Sequence, residues 1–134
     1  MFFLKHLQKF LVIAGIATMS AGLYVIDPER ALSLLNGLHY DHHYTFIFRH
    51  WGMMVLLIGI FMIVSAFKKE WQQVVILYAF VEKLFMVYLY VANFFDPEWA
   101  WLNMRFIPFG LADTLITTYI LCYWISLRKS KVQV

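Results

Sequence analysis

Ionisable residues inside apolar segments are the first groups here with chemistry to offer. Glu82 and Lys83 interrupt an apolar run that continues on both sides, and Asp113 interrupts another. A charge in the centre of a bilayer costs at least about 2.5–3.5 kcal/mol on insertion scales. Such groups must therefore face one another or a wet cavity. Adjacent residues on a helix point about 100° apart, so Glu82 and Lys83 are expected to find different partners. The expected pairs are Lys83 with Asp113, and Glu82 with an arginine or a polar group of another helix. Arg49 and Arg105 open two of the apolar segments and are candidates for that role, and Thr114, Thr117 and Thr118 add donors and acceptors beside Asp113. The candidate cluster is thus Arg49, Glu82, Lys83, Arg105, Asp113 and Thr117. It would serve either as ion pairs that hold helices or partner subunits together, or as a polar pocket for a quinone head group, a lipid or an ion.

A second constellation is His39, Asp41, His42, His43 and His50. If the chain were helical throughout, His39 and His43 would lie one turn apart, a spacing that suits two ligands of one metal ion. His50 would sit roughly 10 Å further along the axis, leaving Asp41, Glu98 or a partner's side chain as the third ligand. The metal reading therefore rests on His39, His43 and Asp41, against the alternative of solvated loop histidines.

The elements that must position these groups follow from composition. Hydrophobic residues make up 63% of the 134 and charged residues 14%, against about 45–50% and about 25% in a soluble domain. A membrane span needs roughly 20 mostly apolar residues. The pattern predicts one all-α domain, a bundle of four transmembrane helices at about 10–26, 48–67, 74–95 and 106–127. Asp27-Pro28 and Asp96-Pro97 end the first and third spans, because proline cannot extend a helix's hydrogen-bond ladder. Lys5, Lys9, Lys68, Lys69, Arg128, Lys129 and Lys131 fall on one side, and only Arg30, Arg49 and Arg105 on the other. The positive-inside rule then puts both termini and the Lys68–Gln73 loop in the cytoplasm, and all five tryptophans fall at span ends, as an interfacial aromatic belt requires. A cleavable leader ending at Ser20-Ala21-Gly22 is the alternative for the first segment. The apolar run continues through Leu23-Tyr24-Val25-Ile26, which favours an uncleaved helix.

Asp27-Pro28-Glu29-Arg30-Ala31 recurs as Asp96-Pro97-Glu98-Trp99-Ala100. Asp caps a helix, Pro fits its first turn and Glu favours its positive end. Each copy is expected to start a short external surface helix, the first stopping at Asn36-Gly37. Span, surface helix, arginine and span, stated twice, suggest a 2+2 parallel repeat. Ala14, Thr18 and Gly22, and Gly52 with Gly59, give small faces for close helix packing.

Other chemistries find no support. Cys122 is the only cysteine, which excludes an internal disulfide or dithiol. No glycine-rich phosphate loop or His-Glu-x-x-His motif occurs. A haem held by two facing helices is not expected, since only His50 reaches a span end. The net charge of +3 suits anionic lipid and needs no nucleic acid. No catalytic residue is identified.

Arg49-His50-Trp51-Gly52, followed by Gly59, in a four-helix chain with a surface helix in its first loop, resembles the DoxX-like group of small bacterial membrane proteins. That resemblance implies an inner-membrane protein, with accessory subunits of quinone-linked oxidoreductases among its relatives, and Arg49, Gly52 and Gly59 as the matching positions. The expectation is an accessory or partner-binding subunit, or a binder of a lipid- or quinone-like ligand, in contact with other membrane subunits or with copies of itself. The competing expectations are a small transporter or channel built on Glu82, Lys83 and Asp113, and a metal- or quinone-linked redox subunit.

Overall fold

The computed structural model describes residues 2–132, and the side chain of Lys131, part of the expected basic cluster, lies outside what is described. No strand occurs among the described residues. Four helical rods, Phe2–Ile26, His42–Phe67, Lys69–Phe94 and Ile107–Ser130, are long and apolar enough to cross a membrane. The first is α1 (Phe2–Met19), a 3₁₀ turn at Ser20–Gly22 and α2 (Leu23–Ile26). Ser20 tightens that turn by donating its hydroxyl to the Ala17 carbonyl at 2.7 Å. The rod starts at Phe2, well before the expected Phe10. Lys5 and Lys9 therefore belong to the helix, and both are exposed.

Asp27 leaves helical geometry, with φ −141° and ψ 84°, before Pro28 and ends the rod. Its carboxylate accepts from the Arg30 N–H at 3.0 Å and caps α3 (Pro28–Asn36). The helix stops where the sequence anticipates, at Gly37, whose φ of 61° is left-handed. Gly37 N–H returns to the Ser33 carbonyl and Leu38 N–H to that of Leu32, which satisfies the last turn. After a 3₁₀ turn at His42–Tyr44 comes α4 (Thr45–Phe67). Lys68 alone separates α4 from α5 (Lys69–Phe94). The expected loop through Gln73 is instead the first turn of α5.

The second Asp-Pro-Glu copy folds differently from the first. Asp96 accepts from Glu98 N–H at 2.9 Å, residues 97–99 form turns, and α6 (Ala100–Arg105) starts three residues late. Arg105 therefore closes α6, and it is Phe106 that precedes α7 (Ile107–Val132), which carries Pro108 in its first turn.

The rods form a ring in which α1 touches α4 and α7, and α5 touches the same two. Successive rods run antiparallel. The basal end holds the first turn of α1, the Lys68 turn and the end of α7; the cap end holds α3, the histidine segment and α6. Leu11, Met62, Ile76 and Ile120, one from each rod, are fully buried and fill the basal half. The closest crossing is α1 on α4. A Cβ on Gly15 would lie 2.7 Å from the Gly59 carbonyl oxygen, and one on Gly59 equally close to that of Gly15. Only residues without side chains allow that approach.

Candidate functional site

Glu82 and Lys83 lie midway along α5, and Asp113 lies two turns into α7. The Lys83 Nζ is 3.0 Å from Asp113 Oδ1 and 3.2 Å from Glu82 Oε2. The Lys83–Asp113 pair is the one expected. Glu82 differs from the expectation: it shares Lys83 instead of finding a partner on another helix. The long lysine stem can bend back to its neighbour, so a 100° offset between α-carbons does not prevent contact at the side-chain tips. The contact is within ion-pair distance but lacks hydrogen-bond geometry, and Glu82 Oε2 has no hydrogen-bond partner among the described residues. Lys83 is 4% exposed and Asp113 7%. Two carboxylates therefore converge on one ammonium in a site largely closed to solvent.

The cluster sits against a cavity of about 40 Å³ lined by Thr18, Trp51, Glu82, Lys83, Phe109 and Asp113, among others. A cavity needs about 10–15 Å³ by this measure to hold one water, so this one has room for a few waters or one small polar group. Thr18 is 6% exposed and its Oγ1 has no partner among the described residues. Thr117, one turn beyond Asp113, is buried with an unpartnered Oγ1 as well. Buried hydroxyls are normally hydrogen-bonded. Of these unmet atoms, those of Thr18 and Glu82 belong to residues that line the cavity, whereas Thr117 lies outside its lining.

The cavity has a floor and a roof. Below it, Ile116 leads into the packed basal core. There α1 and α7 are clamped by Phe10 stacked on Tyr119 at 3.7 Å between ring centroids, and by the Tyr119 hydroxyl donating to the Phe3 carbonyl at 3.0 Å. Above it, the fully buried Tyr24 donates its hydroxyl to Asn36 Oδ1. Asn36 in turn donates from Nδ2 to the Arg105 carbonyl at 3.1 Å. This relay ties α2, the end of α3 and the end of α6 into one cap, with Trp51 edge-on to Tyr24 at 5.1 Å. Of the residues that line the cavity, only Ala17 and Ser20, both on the first rod, are exposed. A larger depression of about 300 Å³ between α4 and α5, lined by Met54, Leu57, Phe61, Val74 and Tyr78 among others, is almost wholly apolar. It offers no comparable chemistry.

The other expected members do not join. Arg49 and Arg105 are exposed at the cap end and make no ion pair among the described residues. At the ends of apolar helices, long basic side chains reach toward the polar boundary instead of folding inward. Thr114 is exposed and bonds the Gly110 carbonyl at 2.7 Å, and Thr118 is exposed too, so only Thr117 of the three faces inward.

The helical premise behind a metal site at His39, Asp41 and His43 also fails. Residues 38–41 are not helical, and Asp41 has an extended backbone. Among the described residues no three of His, Cys, Asp or Glu gather to hold a metal ion. Asp41 acts locally: its Oδ1 accepts from His43 N–H at 2.9 Å and lies 2.7 Å from His43 Nδ1. These hydrogen bonds, the backbone one foremost, hold the Asp41 carboxyl below its usual range. His50 stacks on Phe46, exposed and away from the others.

Sequence reasoning passed over Thr18, Phe109, Trp51 and Asn36 as members of this site. Thr18 was read only as a small packing residue between Ala14 and Gly22. The available signal was that it is the one hydroxyl on that face. Compared with known protein families, with curated proteins and with solved structures, the chain matches none.

Proposed function

We propose that this chain is an integral protein of the bacterial inner membrane, with both termini cytoplasmic, that binds the polar head of a lipid-like molecule between its helices. The observation that carries the reading is the dead-end cavity. Charged and unpaired polar groups converge on it, the basal half beneath is packed with apolar side chains, and its exposed lining, Ala17 and Ser20, lies on the first rod, where lipid would cover it. A channel needs a continuous polar path, and Leu11, Met62, Ile76 and Ile120 fill the place where one would run. The basic residues Lys68, Lys69, Arg128 and Lys129 at the basal end support the orientation.

The 2+2 parallel repeat is part of the same proposal. Each half consists of a long rod, an Asp-Pro-Glu segment, a short helix and a second long rod. In each half an asparagine at the short helix holds a distant carbonyl: Asn36 that of Arg105, and Asn103 that of Tyr90 at 2.6 Å.

A role as an accessory subunit is compatible with ligand binding and has its own support. Only 17% of α5's apolar window is buried, against 33–39% for the other rods. That leaves α5 the face with most room for another subunit or a second copy. The resemblance of Arg49-His50-Trp51-Gly52 to DoxX-like proteins points the same way.

Native mass spectrometry of gently extracted protein tests both parts. The expected result is a retained amphiphile that disappears in Thr18→Leu, which fills the cavity. Proton or cation flux in liposomes that Asp113→Asn abolishes would overturn the reading in favour of transport.

A further inference from the structure

The charge balance of the cavity narrows what it accepts, an argument that rests on the ligand-binding reading above. With all three groups ionised, Glu82, Lys83 and Asp113 carry one net negative charge, and no further basic group among the described residues lies within ion-pair distance of them. Lys83 is closer to Asp113 than to Glu82, and Glu82 Oε2 is left without a hydrogen bond. The unmet groups are therefore an acceptor carboxylate oxygen and the Thr18 hydroxyl, which is itself able to accept. Around them stand Trp51, Phe106 and Phe109, and the faces of aromatic rings attract cations. The free volume of about 40 Å³ takes an ammonium group but not a ring the size of a quinone. The rest of such a molecule must remain outside, on the side where Ala17 and Ser20, the exposed residues of the lining, reach the surface.

From these observations we infer that the cavity binds the ammonium head of a lipophilic amine, with Glu82 as counter-ion and Thr18 as a hydrogen-bond acceptor. A neutral or anionic head leaves the carboxylate excess uncompensated. An amine supplies both the missing charge and the missing donors, and its alkyl body is at home in the surrounding lipid. Arg49 and Arg105 do not compete for the carboxylates, because both are held at the exposed cap.

The test uses the full chain in lipid nanodiscs and three probes of equal chain length: dodecylammonium, dodecanol and dodecanoate. Calorimetric titration is corrected with empty nanodiscs, so partition into lipid cancels. Dodecylammonium is expected to bind at least about tenfold more tightly than the other two, the scale of one charge-assisted contact. Glu82→Gln, which leaves Lys83 paired with Asp113 and the site balanced, should erase that preference. Thr18→Leu should abolish binding of every probe. If dodecanol binds as tightly as the amine and Glu82→Gln changes nothing, while Thr18→Leu still abolishes binding, the pocket is real and the inferred cation is wrong. If no probe binds above the empty-nanodisc background, the ligand-binding reading itself falls with it.

Discussion

The two halves of the bundle are built from the same four rods and do opposite things. In the basal half Leu11, Met62, Ile76 and Ile120 meet in a dry core, and even Ser65, fully buried there, returns its hydroxyl to the Met62 carbonyl at 2.8 Å. In the cap half three ionisable side chains and an unpaired Thr18 surround a cavity, and the Tyr24–Asn36–Arg105 hydrogen bonds run beside a second apolar cluster that includes Leu32, Tyr40 and Val55. In the membrane setting proposed above, burying apolar surface that lipid would cover equally well gains little. Both halves are held by close packing, and the cap half alone adds a charged triad and polar groups of which some are unmet. The cap half is where function can be housed, because it is the part whose interactions are incomplete.

The largest effect that should separate the halves comes from Lys83→Met. Removing the ammonium leaves Glu82 and Asp113 facing each other without compensation, and breaking a buried pair from one side costs about 3–5 kcal/mol. Thermal unfolding in nanodiscs should show it as a large fall in Tm. Replacing all three charged residues with apolar ones of similar size should recover most of that loss. If it does not, the triad has a structural role that the comparison denies it. In the packed half, Gly59→Ala should cost about 1–3 kcal/mol, since the new Cβ meets the Gly15 carbonyl oxygen at 2.7 Å and the Met19 nitrogen at 2.8 Å. Gly22→Ala, whose Cβ meets only the tip of Leu56 at 3.1 Å, should be far milder. Equal costs would show that α1 and α4 are not locked by their backbones.

These contrasts also explain what could be read from the chain alone. Helix number and the Lys83–Asp113 pair were legible because apolar length and the cost of an isolated charge leave few solutions. Rod ends were less so: Lys5, Lys9, Lys69 and Glu70 are compatible with a helix, and polarity marks the edge of the apolar layer without stopping the backbone. The membership of the cavity was harder still. Arg49 and Arg105 were expected in it because they are charged, yet a long side chain near a helix end has a cheaper route outward. Thr18, by contrast, is short and fixed by its position on the inner face of α1. The histidine segment failed as a helix at Asp41, whose carboxylate prefers to close a turn on His43, a local hydrogen bond that competes with helix formation.

The roof over the cavity should respond less than the triad. Asn36→Ala removes both the acceptor of Tyr24 and the donor to the Arg105 carbonyl, leaving two polar groups buried at the cap. The expected cost is about 1–3 kcal/mol, with faster hydrogen exchange confined to α3 and α6. Tyr24→Phe in the Asn36→Ala background should add little, because its hydroxyl has already lost its partner. Exchange that spreads into the basal core would mean that the two halves do not open separately.

The smallest effect belongs to the exposed histidine segment. Asp41 is held below the usual carboxylate range by the hydrogen bonds of His43, so its contribution is present above the unfolded-state value and is lost as pH falls through the folded one. Because the group is exposed, Asp41→Asn should leave Tm within error at neutral pH. What should change is local: the protection of the His43 amide relative to its intrinsic exchange rate should fall as the pH of the wild type is lowered through the Asp41 titration, and the variant should show no such pH-dependent step. The same titration should not move any resonance of Thr18 or Ile120. A response there would tie the histidine segment to the cavity, and the division between an independent outer turn and the interior triad would have to be redrawn.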